Sequence, residues 1–308
     1  MENVRRENIM VKVSVVIPTH NRSELLINSI KSVLKQDFED FEVIIVDDAS
    51  SDDTAEKVKC IKDQRLKYYK IEKPKGGNHA RNFGVNKSEG EYVAFLDDDD
   101  EWHPGKLSKQ LQKFEAKKTV GLVYTAVEII YTDENVKYVT RPKEDGDLSK
   151  KILLKNHIGT TSCVMAKKTI LEEVGGFDEK LPARQDYDLW IRICKLCDVA
   201  FVDEPLVLYY NRNNSTQVST NIEKYLRAVE IMEQKYEDDF LQLSKREQKY
   251  IKSKVCFSAG NRLIRNKDCR EGRKYLLRSM RMKFTIKSFA LYLLSFLSYK
   301  WILKLKSR

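Results

Sequence analysis

The feature that most constrains the fold is an alternation of short apolar runs with helical segments over the first hundred residues. The runs VKVSVVIP (11–18), FEVIIV (41–46) and EYVAFL (91–96) are typical of strands that are buried on both faces. Between them, segments such as SELLINSIKSVL (23–34) repeat apolar residues at helical spacing, and Asn21 followed by Glu24 suggests a capping pattern. This order predicts βαβ units and an α/β fold with a mostly parallel sheet flanked by helices.

The remainder of the chain divides into a mixed segment and a helical one. VGLVYTAVEIIY and VKYVT are predicted to pair as strands, TTSCVMAK to form a strand, and RQDYDLWIRICKLC to form a helix. After Asn221 the pattern is helical to the end of the sequence. We therefore predict one α/β domain over residues 1–218 and a helical C-terminal region over residues 219–308.

The net charge of +10 is concentrated in the C-terminal region. From Arg262 onward, fourteen Lys and Arg stand against Asp268 and Glu271, so the rest of the chain is close to −2. That distribution, without a recognisable nucleic-acid-binding motif, argues against a nucleic-acid partner. The start MENVRRENIM lacks the apolar stretch of a signal peptide, so we expect a cytoplasmic protein with reduced cysteines. We interpret the pair Cys194 and Cys197 as packing rather than as a metal site.

Acidic residues cluster where predicted strands end or where a helix begins. Asp47 and Asp48 follow one apolar run, Asp97–Asp100 follow another, and Asp186 lies at the start of a predicted helix. In open α/β sheets, ligands bind at the carboxyl ends of the strands. Carboxylates gathered at that edge repel one another unless a cation or a donor-rich ligand offsets the charge. Mg²⁺ or Mn²⁺, bound by one or two carboxylates and the phosphates of a ligand, fits this pattern.

The usual phosphate-binding loops are missing from the sequence. There is no G-x-x-x-x-G-K-[ST], and KGGNHARNFG does not match G-x-G-x-x-G. A bound nucleotide would therefore rely on a metal and carboxylates, with Arg81 as a phosphate partner.

Five segments, taken in order, carry a family resemblance. VSVVIPTHNR, FEVIIVDDASSDDT, GGNHARNFGVNKSEGEYVAFLDDDDEWHPGKL, GGFDE and QDYDLWIRI together resemble the family 2 glycosyltransferases, which have the Rossmann-like GT-A fold; the resemblance covers roughly residues 11 to 215. It implies a metal-dependent, inverting enzyme that moves a hexosyl or N-acetylhexosaminyl group from a nucleotide-sugar, UDP-linked in our prediction. The implied acceptor is a glycan or a polyprenyl-linked glycan in cell-surface polysaccharide synthesis.

The resemblance also implies which residues bind the nucleotide. The loop after the first strand lines it, with His20 near the base. Asp48 contacts the edge of the uracil base, and Arg81 lies near the nucleotide. The residues implied in nucleotide-sugar binding are Pro18, Thr19, His20, Asn21, Asp48, Arg81, Asp97 and Asp98.

The metal ligands and the general base follow from two further motifs of the family. The D-x-D motif falls on Asp97 and Asp99, which are the implied ligands of Mn²⁺ or Mg²⁺, while Asp98 and Asp100 remain alternative ligands. The aspartate that opens a helix after Gln185 is Asp186, the implied general base. Its carboxylate must stay clear of the metal and accept the proton of an acceptor hydroxyl.

Other positions have weaker assignments. Asp188 is expected to cap or pack, and the acceptor is expected to meet residues 157–162 together with Trp102 and Trp190. Many members of the family carry a histidine after the last core strands, in a Y-R-x-H-like segment. The matching segment here is YYNRNNSTQV, with Asn213 near that position. Arg212 is one candidate for the missing contact with the diphosphate.

The C-terminal sequence RMKFTIKSFALYLLSFLSYKWILKLKSR contains no acidic residue. Its apolar stretch is shorter than the roughly 20 residues that a transmembrane helix needs. The coincidence of aromatic and basic residues predicts a helix lying in the membrane interface, peripheral on the inner face of the cell membrane. The alternative is a helix that simply packs on the catalytic domain.

A non-catalytic module and a different type of enzyme are alternatives to the glycosyltransferase. A non-catalytic module that binds sugar-nucleotides or glycans could keep the same fold, although the intact Asp99 and Asp186 argue against it. A nucleotidyltransferase would need a glycine-rich, basic loop near the amino terminus, and PTHNRSE is not such a loop.

Overall fold

The computed structural model describes residues 11–212, 221–297 and 302–303. The strands are β1 (Val13–Thr19), β2 (Phe41–Asp47), β3 (Leu66–Lys70), β4 (Tyr92–Phe95), β5 (Glu101–Trp102), β6 (Val120–Tyr131), β7 (Val136–Thr140), β8 (Val164–Lys167) and β9 (Asp198–Asn211). The helices are α1 (Ser23–Leu34), α2 (Thr54–Lys59), α3 (Gly77–Lys87), α4 (Lys106–Ala116), α5 (Lys151–Leu154), α6 (Lys168–Glu173), α7 (Gln185–Cys194), α8 (Ile222–Lys235), α9 (Glu237–Leu241), α10 (Lys245–Arg265), α11 (Cys269–Met282) and α12 (Ile286–Leu294).

The strands form a single sheet in the order β3-β2-β1-β4-β8-β6-β9-β5, with β7 paired to β6. Strands β3, β2, β1 and β4 are parallel to one another. Every residue of β1 and β2 is buried, as expected for parallel strands covered on both faces. The predicted α/β fold with flanking helices is confirmed.

The second half of the sheet is mixed. Strand β8 is antiparallel to both β4 and β6, whereas the long strands β6 and β9 run parallel. The predicted pairing of β6 with β7 is present and antiparallel. The segment TTSCVMAK is a strand only from Val164, because Thr161–Cys163 forms a 3₁₀ turn instead.

The parallel register brings the site residues together. Val13 pairs with Tyr92 and with Phe41, so β1, β2 and β4 run side by side toward the same edge. The residues that follow these strands in the sequence therefore meet at one edge of the sheet. This is the edge at which open α/β sheets bind ligands.

The expected capping of α1 by Asn21 is wrong. The helix begins at Ser23 with Arg22 at its N-cap, and the Arg22 side chain makes no capping hydrogen bond. The first backbone nitrogen of the helix, that of Ser23, donates instead to Asp52 Oδ2 at 3.2 Å. Asn21 has a φ of 51°, a left-handed conformation that asparagine adopts more readily than most residues. Its Oδ1 accepts hydrogen bonds from the backbone nitrogens of Ser51 (2.7 Å) and Asp52 (3.3 Å), so the side chain ties two loops together.

The C-terminal helices pack on one another and on α7. Helices α10 and α11 come close at Gly260 and Gly272, where an added Cβ on either residue would lie within about 3 Å of the other's carbonyl oxygen. Asp188 on α7 is fully buried and pairs with Arg192 and with Lys235 of α8. Asp188 therefore packs, as expected. Within the described ranges, no helix is long and apolar enough to cross a membrane.

Candidate active site

A cavity of about 850 Å³, here called the cleft, opens at the carboxyl ends of β1, β2 and β4. Its other walls come from the starts of α3 and α7, from residues 154–156 and 160–161, and from helices α8, α10 and α12. The predicted site residues that line it are Pro18, Thr19, His20, Asp48, Arg81, Asp97, Asp98, Asp99 and Asp186. The structure thus brings together residues spread over 169 positions of the sequence. Asn21 does not line the cleft, because its side chain points to the loop at residues 51–52.

The loop after β1 is fixed by hydrogen bonds to neighbouring strand ends. Thr19 Oγ1 donates to Asp98 Oδ2 at 2.8 Å, and His20 Nδ1 donates to the carbonyl oxygen of Asp48 at 2.6 Å. His20 is exposed at the cleft, whereas Thr19 is buried beneath it. The loop is therefore held rigidly while the imidazole ring faces the open space.

Asp48 shapes the loop that precedes α3. Its carboxylate accepts hydrogen bonds from the backbone nitrogens of Lys75 (2.8 Å) and Gly76 (2.7 Å). Gly76 has a φ of 92°, a conformation that residues with a side chain rarely adopt. Asp47 is fully buried and bonded to the Tyr68 hydroxyl. Of the two aspartates at the end of β2, only Asp48 lines the cleft.

Arg81 and Asp97 form an ion pair in the cleft. Arg81 Nη2 lies 2.6 Å from Asp97 Oδ1, and Thr161 Oγ1 donates to the other carboxylate oxygen at 3.0 Å. Arg81 is buried except at the cleft, and its guanidinium lies 5.5 Å from the centre of the Phe177 ring. Its Nε has no hydrogen-bond acceptor among the described atoms. Arg81 is thus a well-positioned cation with spare donor capacity.

Arg22 bridges two of the four consecutive aspartates. Its Nη1 lies 2.9 Å from Asp98 Oδ1 and 3.2 Å from Asp99 Oδ2. Asp98 is nearly inaccessible, and its burial raises the pKa of that carboxyl to about 6 although Arg22 acts in the opposite direction. Asp97 and Asp99 keep more of their side chains exposed, at 25% and 12%. No sequence motif singled out Arg22, which also lines the cleft.

Asp100 does not face the cleft. Only 1% of it is exposed, and its carboxylate accepts hydrogen bonds from Ser162 Oγ (2.6 Å) and from the backbone nitrogen of Tyr210 (3.3 Å). Burial raises its pKa well above the ordinary value, with further contributions from Asp99 and Asp97. Asp100 anchors the 3₁₀ turn and β9, and it is not among the residues that line the cleft.

Asp186 lies in the first turn of α7 and lines the cleft. The residue before Gln185 is Arg184, whose φ of 58° turns the chain sharply into the helix. One carboxylate oxygen of Asp186 accepts a hydrogen bond from the backbone nitrogen of Tyr187 at 2.7 Å. Burial raises the pKa of the Asp186 carboxyl, while Arg184 and Arg81 act in the opposite direction. A carboxylate with a raised pKa and no side-chain partner in the described chain is suited to accept a proton.

The two tryptophans expected near the acceptor are buried elsewhere. Trp190 is fully buried, and its Nε1 donates to the carbonyl oxygen of Gly159 at 3.0 Å. Trp102 is 3% exposed, and its Nε1 donates to the carbonyl oxygen of Ser162 at 2.9 Å. That expectation was wrong, because both indoles fill the core and hold the 157–162 segment from below. Thr160 and Thr161 of that segment do line the cleft, so contact of the acceptor with this segment stays a prediction.

The C-terminal helices contribute a wall that motif analysis missed. Arg184 lies 4.9 Å from the Tyr187 ring centre and 5.4 Å from that of Tyr225 on α8. Arg262 on α10 lies 4.0 Å from the same Tyr225 ring. The cleft residues of this wall are Tyr225, Ile251, Lys254, Val255, Phe257, Ser258, Arg262 and Lys287. Helical periodicity alone could not single them out, since it gives no information on which face meets the sheet edge.

The segment after β9 is described only in part. Asn213 lies outside the described residues. Arg212 Nη1 donates to the backbone oxygen of Asp99 at 3.1 Å, and its guanidinium lies 4.7 Å from the Tyr210 ring centre. Arg212 therefore supports the aspartate loop and does not line the cleft.

Two carboxylates in the cleft, those of Asp97 and Asp99, are the candidate ligands for a metal ion. Within residues 11–212, 221–297 and 302–303, no group of three or more His, Cys, Asp or Glu side chains is arranged to hold a metal ion. Asp97 and Asp99 nevertheless offer two carboxylates at the cleft surface. Mg²⁺ and related ions are commonly held by one or two carboxylates together with substrate phosphates and water. The donor set therefore fits an ion that arrives with a diphosphate.

Comparison with known proteins decides the family. The model of the family described as Glycosyl transferase family 2 matches residues 14–175, which is more than half of the chain. The chain belongs to glycosyltransferase family 2. This glycosyltransferase is 32% identical over 216 residues to the Escherichia coli protein named UDP-Glc:alpha-D-GlcNAc-diphosphoundecaprenol beta-1,3-glucosyltransferase WfgD, over 70% of this chain and 82% of that protein.

Solved structures agree with this glycosyltransferase in fold. Staphylococcus aureus TarS (1–349) in complex with UDP-GlcNAc matches with a TM-score of 0.58 and 18% identity, over 86% of this chain and 90% of that chain. The mannosyltransferase PcManGT from Pyrobaculum calidifontis, in complex with GDP-Man and Mn²⁺, matches with a TM-score of 0.58 and 16% identity, over 96% and 86%. These matches show that the predicted GT-A fold is correct.

Proposed function

We propose that this glycosyltransferase moves a hexosyl or N-acetylhexosaminyl group from a UDP-linked donor to a lipid-linked glycan in cell-surface polysaccharide synthesis, with inversion at the anomeric carbon. One observation carries the proposal: Asp97 and Asp99 line the same cleft as Asp186, whose carboxylate has no side-chain partner in the described chain. The name of the Escherichia coli relative, which specifies a UDP-sugar donor and a diphosphoundecaprenol-linked acceptor, supports both substrate classes.

The donor's diphosphate would lie between the aspartates and the two arginines. Asp97 and Asp99 would hold Mn²⁺ or Mg²⁺, and such an ion offsets negative charge on a departing nucleoside diphosphate when bound. Arg81 and Arg22 line the same part of the cleft, and a guanidinium can donate two parallel hydrogen bonds to a phosphate. His20 and Asp48 lie at the adjoining strand ends and would contact the base.

Asp186 would act as the general base. As the acceptor hydroxyl oxygen bonds to the anomeric carbon, the bond from that carbon to the diphosphate oxygen breaks and its electron pair leaves with the nucleoside diphosphate. The hydroxyl proton passes to the Asp186 carboxylate. Because burial raises the pKa of this carboxyl, it accepts a proton more readily than an exposed aspartate does. A single displacement of this kind inverts the anomeric configuration.

The acceptor would reach the cleft from a membrane surface. The C-terminal apolar face, defined as Phe284, Ile286, Phe289, Leu293 and Phe296, has side chains between 43% and 82% exposed. The other side of α12 packs on α11 through the buried residues Leu291 and Ser288. Packing and membrane contact are thus compatible, since they use different sides of one helix. Basic residues beside this face suit the anionic inner leaflet.

A donor-binding screen tests the proposal. The purified protein is titrated with UDP-, GDP-, CMP- and dTDP-sugars, with and without Mn²⁺, by isothermal titration calorimetry. We expect Mn²⁺-dependent binding of the UDP-sugars, lost in Asp99→Ala but retained in Asp145→Ala, an exposed control. Absence of binding to every donor would overturn the proposal and favour a module without catalytic function.

A further inference from the structure

Three lysines lie together on the wall of the cleft. Lys155 follows α5, Lys254 lies on α10, and Lys287 lies in the first turn of α12, and all three line the cleft. The Nζ atoms of Lys254 and Lys287 lie 6.0 and 5.7 Å from the centre of the same ring, that of Phe257. We call this group the lysine cluster.

The lysine cluster has no acidic partner in the part of the chain that the structure describes. None of its members forms an ion pair or a hydrogen bond with a carboxylate there, whereas Arg22 and Arg81 are paired with the aspartates. Burial lowers the pKa of Lys155, and Lys254 and Lys287 lower it further. Burial and Lys254 likewise lower the pKa of Lys287. Three cations held close together are costly unless an anion offsets their charge.

The lysine cluster is also next to the exposed apolar surface. Lys287 directly follows Ile286, which is 82% exposed and belongs to the C-terminal apolar face. Helix α12 therefore presents a cation to the cleft and apolar side chains to the outside. A molecule with an anionic head and a long apolar chain could contact both at once.

We propose that Lys155, Lys254 and Lys287 bind the diphosphate of a polyprenyl diphosphate-linked acceptor. The inference rests on the proposed function, because it assigns the acceptor's anionic group to a part of the same cleft. In the proposed function Arg22, Arg81 and a metal at the aspartates would bind the diphosphate of the donor, so the lysine cluster is left for a second phosphate-bearing substrate. Binding the acceptor at its diphosphate would orient its terminal sugar toward Asp186 and leave the prenyl chain at the C-terminal apolar face.

The test uses geranylgeranyl diphosphate in detergent micelles as the probe, with geranylgeraniol as the uncharged comparison. The full chain is saturated with UDP and Mn²⁺, so that the donor site is occupied. The variant is Lys155→Gln/Lys254→Gln/Lys287→Gln. Its matched control is Lys224→Gln/Lys249→Gln/Lys252→Gln, which removes three exposed lysines outside the cleft.

We expect the variant to bind geranylgeranyl diphosphate at least about tenfold more weakly, since charge-assisted hydrogen bonds to phosphate are lost. Its affinity for UDP and for geranylgeraniol should match that of the wild type and of the control. Equal affinity of wild type and variant for geranylgeranyl diphosphate would overturn the inference. So would a variant that loses binding to phosphatidylglycerol vesicles alone, because the lysines would then serve the bilayer and not the acceptor.

Failure of the donor site is a separate result. One outcome is that the wild type binds no UDP-sugar while its binding of geranylgeranyl diphosphate still depends on the lysine cluster. In that case the proposed UDP-linked donor is wrong, and the inference that the lysine cluster binds a diphosphate is retained. If UDP-sugars bind only when Asp99 is present, and the lysine variant keeps its affinity for geranylgeranyl diphosphate, the inference about the lysine cluster is wrong. The proposed donor site is then retained.

Discussion

Arg22 Nη1 lies 2.9 Å from Asp98 Oδ1, and this ion pair ties the loop after β1 to the four consecutive aspartates after β4. Asp98 is buried by this contact and by the Thr19 hydroxyl, and Asp100 is buried by Ser162. Asp97 and Asp99 are left at the cleft surface. Alternate members of the run thus have different environments: Asp98 and Asp100 are almost fully buried, whereas Asp97 and Asp99 keep more of their side chains exposed.

Arg22→Ala should weaken UDP-sugar binding by about 10- to 100-fold, since one charge-assisted contact to phosphate is worth about 1.5–3 kcal/mol. The loss of the partner of Asp98 and Asp99 should add to the effect. Calorimetric titration in the presence of Mn²⁺ measures the affinity for the UDP-sugar. Arg141→Ala, which removes an exposed ion pair with Asp203, is the control and should bind as the wild type does. Unchanged affinity in Arg22→Ala would show that Arg22 only holds the loop.

Trp190→Phe should lower the free energy of unfolding by about 1–3 kcal/mol, because a buried hydrogen bond to Gly159 and part of the indole's volume are lost. Donor affinity should change less than threefold, since Trp190 does not line the cleft. Urea unfolding and donor titration of the same preparation measure the two effects. A large loss of donor affinity in a protein of unchanged stability would contradict this assignment.

The buried amine of Lys106 should make the free energy of unfolding depend on pH. It is fully buried, with Nζ 2.8 Å from Gln110 Oε1 and 3.8 Å from the Trp102 ring centre, and burial lowers its pKa to about 7. The unfolded chain, with the ordinary value of 10.5, therefore binds more protons between these two pH values. Stability should rise with pH across that window, by at most about 1.4 kcal/mol per pH unit.

The comparison is between the wild type and Lys106→Met, unfolded in urea at several pH values from 6 to 9.5. The difference in the free energy of unfolding, wild type minus variant, should be flat below pH 7 and rise above it. Lys113→Met, which removes an exposed lysine on the same helix, should run parallel to the wild type. Parallel curves for Lys106→Met as well would mean that the buried amine is not the group that titrates.

The C-terminal apolar face predicts binding to anionic bilayers. Ile286→Gln/Phe289→Gln should reduce the partition onto phosphatidylglycerol vesicles by about tenfold or more, because burying one such side chain contributes about 1.5–3 kcal/mol. Co-sedimentation measures the bound fraction. Leu241→Gln, which changes a side chain that is 69% exposed on α9, is the matched control. If the double variant and the control bind equally, the membrane surface lies elsewhere.

The sequence predicted the strands and the sheet edge well, because buried parallel strands leave an unmistakable apolar pattern. It could not assign the aspartates individually. Asp98 and Asp100 are buried by Arg22 and Ser162, which lie 76 and 62 residues away, and only the folded chain brings these groups together. The tryptophans were misplaced for a related reason: a large aromatic near a site can fill the core beneath it, as Trp190 does, rather than face the ligand.

The residues of the C-terminal wall of the cleft could not be predicted from the sequence, for a different reason. The sequence showed helices after Asn221, but a helical period gives no position relative to the sheet. Lys254 and Arg262 look like ordinary surface charges until α10 packs beside α5 and α8. The predicted boundary at residue 218 lies outside the described residues, and the cleft is lined by residues on both sides of it.

The most direct test of the account is the release of nucleoside diphosphate from the donor that binds, by wild type and by Asp186→Asn. If Asp186 is the general base, the variant should keep its donor affinity and lose at least about 100-fold in rate, the usual contribution of general-base catalysis. Wild-type rates in Asp186→Asn would contradict the assignment. Loss of donor binding would give Asp186 a structural role instead.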